Sequence, residues 1–292
     1  MARDIVLLTN PTSGGGRGLR AAAVALAQLR TAGLQVRRLV GRDAGDALAL
    51  ARSAVADGAD SLVVVGGDGL VHIAVQALVG SATRLGIIPA GTGNDVARSL
   101  GLPRSDPRLA ADVVVRSRSR RIDLGRCGAR HFVSVLATGI DSAVSERAAG
   151  MRRPSGALRY PAATLAELRS FSPVPYTLRL DGEGRCVEAM LVAVGNGPSY
   201  GGGLRITHGA RLDDGRLDVV VIGAMTKLDL LRTYPRLYRG THVRHPAYEH
   251  HRVRTAHVAA DGAVAYADGE RVGVLPLDVD VVPSALEVLT DG

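Results

Sequence analysis

The sequence predicts an α/β domain built on a parallel sheet, followed by an antiparallel β domain of sandwich type, and three observations predict it. Buried strand-like runs alternate with helical segments through about residue 123. Glycine-rich loops follow the strands of this first part. Beyond it, alternating strands are separated by Gly and Asp, the pattern of antiparallel pairing.

The elements can be justified in order. Asp4 to Thr9 (DIVLLT) is a short apolar run, and Leu19 to Leu29 is Ala-rich and helical. Leu34 to Val40 alternates as a strand, Asp46 to Asp57 is helical, and Ser61 to Val65 is a second buried run. Arg84 to Ile88 is a further strand, and Asn94 to Leu100 begins a helix that ends at GLP. The later strands lie in HFVSVLATG, YTLRLDGEGRCVEAMLVAVGNG, GRLDVVVIGA and RVRTAHVAADGAVAYADGERVGV, interrupted by helical segments near Ala157 to Ser170 and Lys227 to Tyr238. The division is a domain of residues 1–123 and a β-rich domain of residues 124–282. No low-complexity linker separates them, so the active site is expected in a cleft between the two.

At 292 residues, 46% of them hydrophobic, the chain can bury a sizeable core. No apolar run reaches the roughly 20 residues that span a bilayer, and MARDIVLLTN is already strand-like, so a cytoplasmic protein is expected. Cys127 and Cys186 lie far apart with no CxxC partner, which argues for packing residues over a disulfide or thiolate metal site. The formal charge is +8, and nearly all the positive charge is arginine, Lys227 being the sole lysine. That charge suits nucleic acid, an anionic membrane surface or a phosphorylated substrate. With 2 Phe and no Trp there is little to stack on bases, which disfavours nucleic acid.

Three loops carry the chemistry of the first part: NPTSGGGRG at Asn10 to Gly18, GGDG at Gly66 to Gly69, and PAGTGND at Pro89 to Asp95. Each follows a predicted strand and precedes a predicted helix, so in a parallel sheet all emerge at one carboxyl edge. Glycines let backbone amides approach an anion, and the helix N-termini add a favourable dipole. Neither GxGxxG nor GxxxxGK[ST] occurs, and this half has no lysine. A phosphate would therefore be held by backbone amides, by the hydroxyls of Thr12, Ser13 and Thr92, or by arginine. Asp68 stands apart, because a carboxylate repels phosphate unless a cation or proton donor intervenes. It suits Mg²⁺ or an acceptor hydroxyl, and a helix cap is the plainer alternative.

Taken together, NPTSGGG, GGDG and IIPAGTGNDVARSLGLP resemble the catalytic domain shared by diacylglycerol kinases, sphingosine kinases and bacterial lipid kinases. ATGIDSAV, GNGPSYGGGLRITHGARLDDGRLDVVVI and YADGE extend the resemblance over nearly the whole chain. It implies a nucleotide-binding α/β domain to which residues 283–292 return, a β-rich lipid-substrate domain, and transfer of phosphate from ATP with Mg²⁺ to diacylglycerol. Asn10, Pro11, Thr12, Ser13 and Gly14 would hold the nucleotide, as would Gly66, Gly67, Asp68, Gly69, Leu70, Val71 and His72, with Gly91, Thr92 and Asn94. Asp268 and Glu270 would sit by the acceptor, Glu270 taking its proton. In the turn RLDDGRLD the resemblance implies a structural Mg²⁺ held by Asp214 with the backbone carbonyls of Arg211 and Arg216. Asp68, Asp95 and Asp123 would join a water and metal network.

The chain departs from the commoner family pattern just after GGDG. It reads Leu70, Val71, His72, Ile73 where Thr, Leu, Asn and Glu are frequent, so a hydroxyl and a carboxylate are missing. His72 is expected at the helix surface or a cleft edge. As plainer alternatives, DGE can be an ordinary hairpin turn and DDG a solvated one. Competing readings of the whole are an NAD kinase-like enzyme and a non-catalytic lipid or nucleotide sensor. A diacylglycerol substrate stays in the bilayer, so peripheral membrane association is expected through two basic clusters. One holds Arg116, Arg118, Arg120 and Arg121, and the other Arg232, Arg236, Arg239, Arg244 and His245. A homodimer remains open.

Overall fold

The structure is a computed structural model that describes residues 3–11, 15–151, 153 and 159–291. The chain forms two compact units, Met1–Leu124 with Val282–Gly292, and Gly125–Val281.

The first unit runs β1 (Asp4–Thr9), α1 (Arg17–Thr31), β2 (Gln35–Val40), α2 (Ala44–Ala56), β3 (Ser61–Gly66), α3 (Asp68–Leu78), β4 (Arg84–Pro89), α4 (Asp95–Ser99) and α5 (Pro107–Arg116). Strands β1, β2, β3 and β4 pair in parallel in the order β4-β3-β1-β2. Period-2 alternation sends Ile5, Leu7, Val63 and Val65 to one face, where they pack on Ala21, Ala22 and Ala25 of α1 and Ala110, Ala111 and Val114 of α5. Alanines at those contacts let the helices lie close to the sheet. Since both faces are covered, β3 is buried along its whole length and reads as a continuous apolar run. Helix α5 was not anticipated: its VVV stretch carries no helical signature, yet Asp106 caps it and Pro107 opens it.

Strand β5 (Ser119–Cys127) carries the chain into the second unit. There follow β6 (Arg130–Phe132), β7 (Val135–Gly139), α6 (Ile140–Gly150), α7 (Arg159–Ser170), β8 (Val174–Leu180), β9 (Glu183–Gly195), β10 (Leu217–Gly223), α8 (Lys227–Arg239), β11 (Tyr248–Val253), β12 (Thr255–Ala259), β13 (Val264–Ala267) and β14 (Glu270–Val274). Strand β15 (Leu277–Leu289) returns to the first unit, where Val288 pairs in parallel with Leu85. In the second unit β13, β7, β9, β8 and β12 pair successively, all antiparallel, and β10 joins β9 to β11.

Two apolar layers flank the central strands. Leu136, Val192, Val194, Val219 and Val221 face Tyr176, Leu178 and Val258, as in a sandwich. On the other side Ala137, Leu191, Ala193, Val220 and Ile222 pack under Ile140, Val144 and Ala148 of α6 and Leu230 of α8. Helix α6 was also missed from the sequence. Cys127 lies in the first of these layers, but Cys186 is exposed, because alternation along β9 turns it outward; the expectation that it packs is corrected. Among the described residues, no helix is long and apolar enough to cross a membrane.

Candidate active site

The parallel register decides where the first unit's loops emerge. Thr9 pairs with Val65, and Gly66 with Pro89, so the chain leaves β1, β3 and β4 at one sheet edge. There the Asn10 amide donates to the Val65 carbonyl at 3.4 Å and the Ala90 amide to the Gly66 carbonyl at 2.8 Å. The GGDG and PAGTGND loops meet backbone to backbone. A Cβ on Gly91 would stand 2.4 Å from the Gly67 Cα, so only glycine fits at that crossing.

The second loop is closed by Asn94. In the left-handed region at φ 53°, its side chain accepts from the Gly91 amide and donates to the Gly91 carbonyl, each at 3.0 Å. Thr92 is left exposed at the tip, with its hydroxyl open to a ligand. Thr12, Ser13 and Gly14 lie outside the described residues; Asn10 and Pro11 are half-buried.

Helix α3 starts on Asp68 with Gly67 at its N-cap. The amides of Leu70 and Val71 already donate to the Gly67 carbonyl, at 3.0 and 3.2 Å. An anion at this helix end would meet the amides ahead of them, those of Gly67, Asp68 and Gly69. The side chains of Leu70, Val71 and His72 are buried. For His72 this corrects the expectation of a helix-surface position: it is buried, on the face of α3 that also buries Val71, Val75 and Leu78. Leucine in place of a hydroxyl residue has thus become part of the core.

The carboxylates expected to form a metal network each hold a structural partner. Asp68 Oδ1 accepts from the Val96 amide at 3.1 Å and so caps α4. Buried Asp95 lies 3.5 Å from the Arg98 guanidinium. Asp123 Oδ1 accepts from the Ser284 amide at 2.7 Å, fastening β15 beside β5. In the RLDDGRLD turn, Asp214 accepts from the Arg216 amide at 3.1 Å and pairs with Arg252 at 2.5 Å. Arg211 turns to Asp213, and Arg216 to Asp181. Among the described residues no three His, Cys, Asp or Glu side chains gather where they could hold a metal. The Asp214 carboxylate thus balances the Arg252 guanidinium and the Arg216 amide.

The DGE turn of the second unit is a two-residue hairpin between β13 and β14. Asp268 at φ 50° and Gly269 at φ 86° give it the twist that suits such hairpins. The Asp268 carboxylate accepts from the Val133 amide at 2.9 Å and the Ser134 amide at 2.8 Å, while its own amide donates to the Val135 carbonyl. Asp268 is therefore a clamp. Glu270, the next side chain, is exposed and has no hydrogen-bond or ion-pair partner among the described residues. The turn is a hairpin and also a fixed mount for a carboxylate.

One acid escaped the sequence reading. Asp141, in the first turn of α6, has a buried Oδ2 with no hydrogen-bond partner, and burial raises its pKa to about 7. Burial, then the neighbouring Tyr238, push the Tyr234 hydroxyl of α8 up to about 12, and Asp141 adds to the effect. An acid one residue beyond the buried run VLATG was the available signal.

Amide-lined loops at the edge of a parallel sheet suit a phosphorylated ligand, and the sandwich-like domain presents an exposed carboxylate. Residues 4–127 match the diacylglycerol kinase catalytic domain, and residues 134–290 the YegS C-terminal NAD kinase beta sandwich-like domain. The chain is 45% identical to a diacylglycerol kinase of Mycobacterium tuberculosis over 98% of its length and 94% of that protein. It is 29% identical to one of Bacillus subtilis, over 92% and 90% of the two chains. A crystal structure of a diacylglycerol kinase from Bacillus anthracis superposes with a TM-score of 0.80 at 23% identity, covering 99% of this chain and 97% of that one, and shares its fold. The chain belongs to the diacylglycerol kinase catalytic family.

Proposed function

We propose that the protein transfers the terminal phosphoryl group of ATP to the hydroxyl of a diacylglycerol, giving phosphatidic acid. The observation that carries this reading is Glu270, an exposed carboxylate without a partner among the described residues, on a turn held rigid by Asp268. The names of the relatives support diacylglycerol as the acceptor. The acceptor oxygen forms a bond to the γ-phosphorus as the bond to the β-phosphate oxygen breaks; ADP leaves, and the hydroxyl proton passes to Glu270. Mg²⁺ would accompany ATP and neutralise phosphate charge. Amides at the head of α3 and the Thr92 hydroxyl would steady the phosphates, and Asp68 is the carboxylate among these loops suited to the ion.

The experiment is an assay with labelled ATP against diacylglycerol, monoacylglycerol, ceramide, sphingosine and NAD. Label in phosphatidic acid is expected. Label in NAD and in no lipid would instead favour an NAD kinase-like activity, which the description of the second domain's family model keeps as the second reading.

A further inference from the structure

Two basic clusters are present, and the fold treats them differently. In the first, the Arg116 guanidinium pairs with Asp291 and Arg121 donates to the Ser284 carbonyl at 3.3 Å, so both serve the first unit itself. In the second, Arg232, Arg236 and Arg239 are exposed along α8.

Helix α8 also carries an apolar strip on its outer side. Leu228, Leu231 and Tyr238 are 54%, 52% and 49% exposed, and Pro235 is exposed between them. At about 100° per residue these four share one arc, and the three arginines fill the arc beside it. Leu230 and Thr233 take the opposite, buried side. The helix's acid, Asp229, is turned back onto the Thr226 hydroxyl at 2.6 Å, where the two form a cap. On the adjoining helix α7, Leu165 is 56% exposed.

We propose that the outer face of α8 is a docking surface for an anionic lipid bilayer, with Leu228, Leu231, Pro235 and Tyr238 dipping into the headgroup boundary. This rests on the lipid-kinase reading for its biological sense, though not for its physics. An apolar arc bordered by arginines on one short helix matches an interfacial helix: the leucines gain by leaving water, tyrosine suits the boundary, and guanidinium groups meet lipid phosphates. The occupant is anionic because the charged border carries one sign only. Attraction by charge alone, the expectation from sequence, becomes a mixed mode in which salt weakens binding without abolishing it.

The test uses the full chain without nucleotide, cosedimented with vesicles of phosphatidylcholine alone or mixed with phosphatidylglycerol. Binding to the mixed vesicles is expected, partly surviving high salt. L228S/L231S should lower the affinity roughly tenfold or more, and R232Q/R236Q/R239Q should remove the salt dependence, with thermal melts confirming that both variants fold. Since the chain has no tryptophan, L231W supplies a sole indole reporter. Its emission should shift to the blue and be quenched by brominated lipid only with the anionic vesicles. The idea is overturned if the wild type ignores anionic vesicles, or if the L231W emission stays unchanged in a vesicle-bound protein. It is equally overturned if the strip proves to join two copies, seen as a lipid-independent dimer that L228S/L231S dissociates. L228S/L231S should keep activity on a monomeric short-chain diacylglycerol and lose it on vesicles. A protein that docks but phosphorylates no lipid would instead defeat the kinase reading and leave the surface standing.

Discussion

Two of the Asp-Gly steps of this protein, Asp68-Gly69 and Asp268-Gly269, use the same dipeptide for opposite ends. At Asp68-Gly69 the aspartate opens helix α3, reaches across to cap α4, and leaves the head of a helix whose early amides favour an anion. At Asp268-Gly269 the aspartate is spent on two amides before β7, and the side chain that follows, Glu270, is left open. One turn presents donors and the other an acceptor. The dipeptide fixes a bend, while its neighbours decide which charge the bend displays.

The sharpest way to break this comparison is Glu270→Gln, which keeps the turn and removes a proton acceptor. Turnover should fall by roughly 10²-fold or more, with melting temperature and nucleotide affinity nearly unchanged. Wild-type turnover would move the base elsewhere.

Asp141 supplies the contrast of an acid with no amide to satisfy. Burial lifts it from 3.8 to about 7, so the native state holds its proton while the unfolded chain gives it up. Below about pH 4 both states are protonated and nothing is lost. Between pH 4 and 7 stability falls, and above 7 the full cost applies. Asp141→Asn should therefore match the wild type near pH 3.5 and exceed it by on the order of 4 kcal/mol at pH 8 in urea unfolding. A constant difference across that range would refute the assignment.

Asp268→Ala should cost about 2–3 kcal/mol, since two amides lose their acceptor and alanine resists the left-handed backbone. Asp268→Asn, which tolerates that conformation and keeps one acceptor, should recover about half of it. Equal losses in chemical denaturation would show that the clamp does not act through these bonds.

The smallest effect is expected at the other turn. Asp68→Ala removes one cap from a five-residue helix, α4, costing about 1 kcal/mol of stability. A proportionally larger loss of turnover would show that Asp68 serves the reaction beyond its cap; loss of stability alone would make it only a cap.

Much was legible before any coordinates. Strand β1 falls on the expected residues Asp4 to Thr9, and β3, β4 and α8 lie within a residue or so of theirs, because long buried runs and an amphipathic period are strong local signals. Helix α6 was not, since AVSERAAG carries little periodic contrast; α5 did carry signals, Asp106-Pro107 at its start and apolar residues at helical spacing, behind a β-branched VVV that reads as strand. The loops, Asp68, Asp268 and Glu270 could be named from sequence as chemistry-bearing. That Asp268 clamps and Glu270 stands free could not, because it depends on amides more than 130 residues away.

By itself, then, the sequence determined the class of fold, the order of most of its elements apart from α5 and α6, and the acids and glycines set in its turns, all of which follow from local periodicity and turn chemistry. Tertiary structure alone decided how each charge is used. Arg252 reaches Asp214, His72 is buried, Arg116 and Arg121 bind groups of their own unit, and the arginines of α8 stay at the surface beside Leu228 and Leu231. The physical reason is that a charged side chain's role depends on which partner the folded chain brings within hydrogen-bond reach, and distance along the sequence does not encode that.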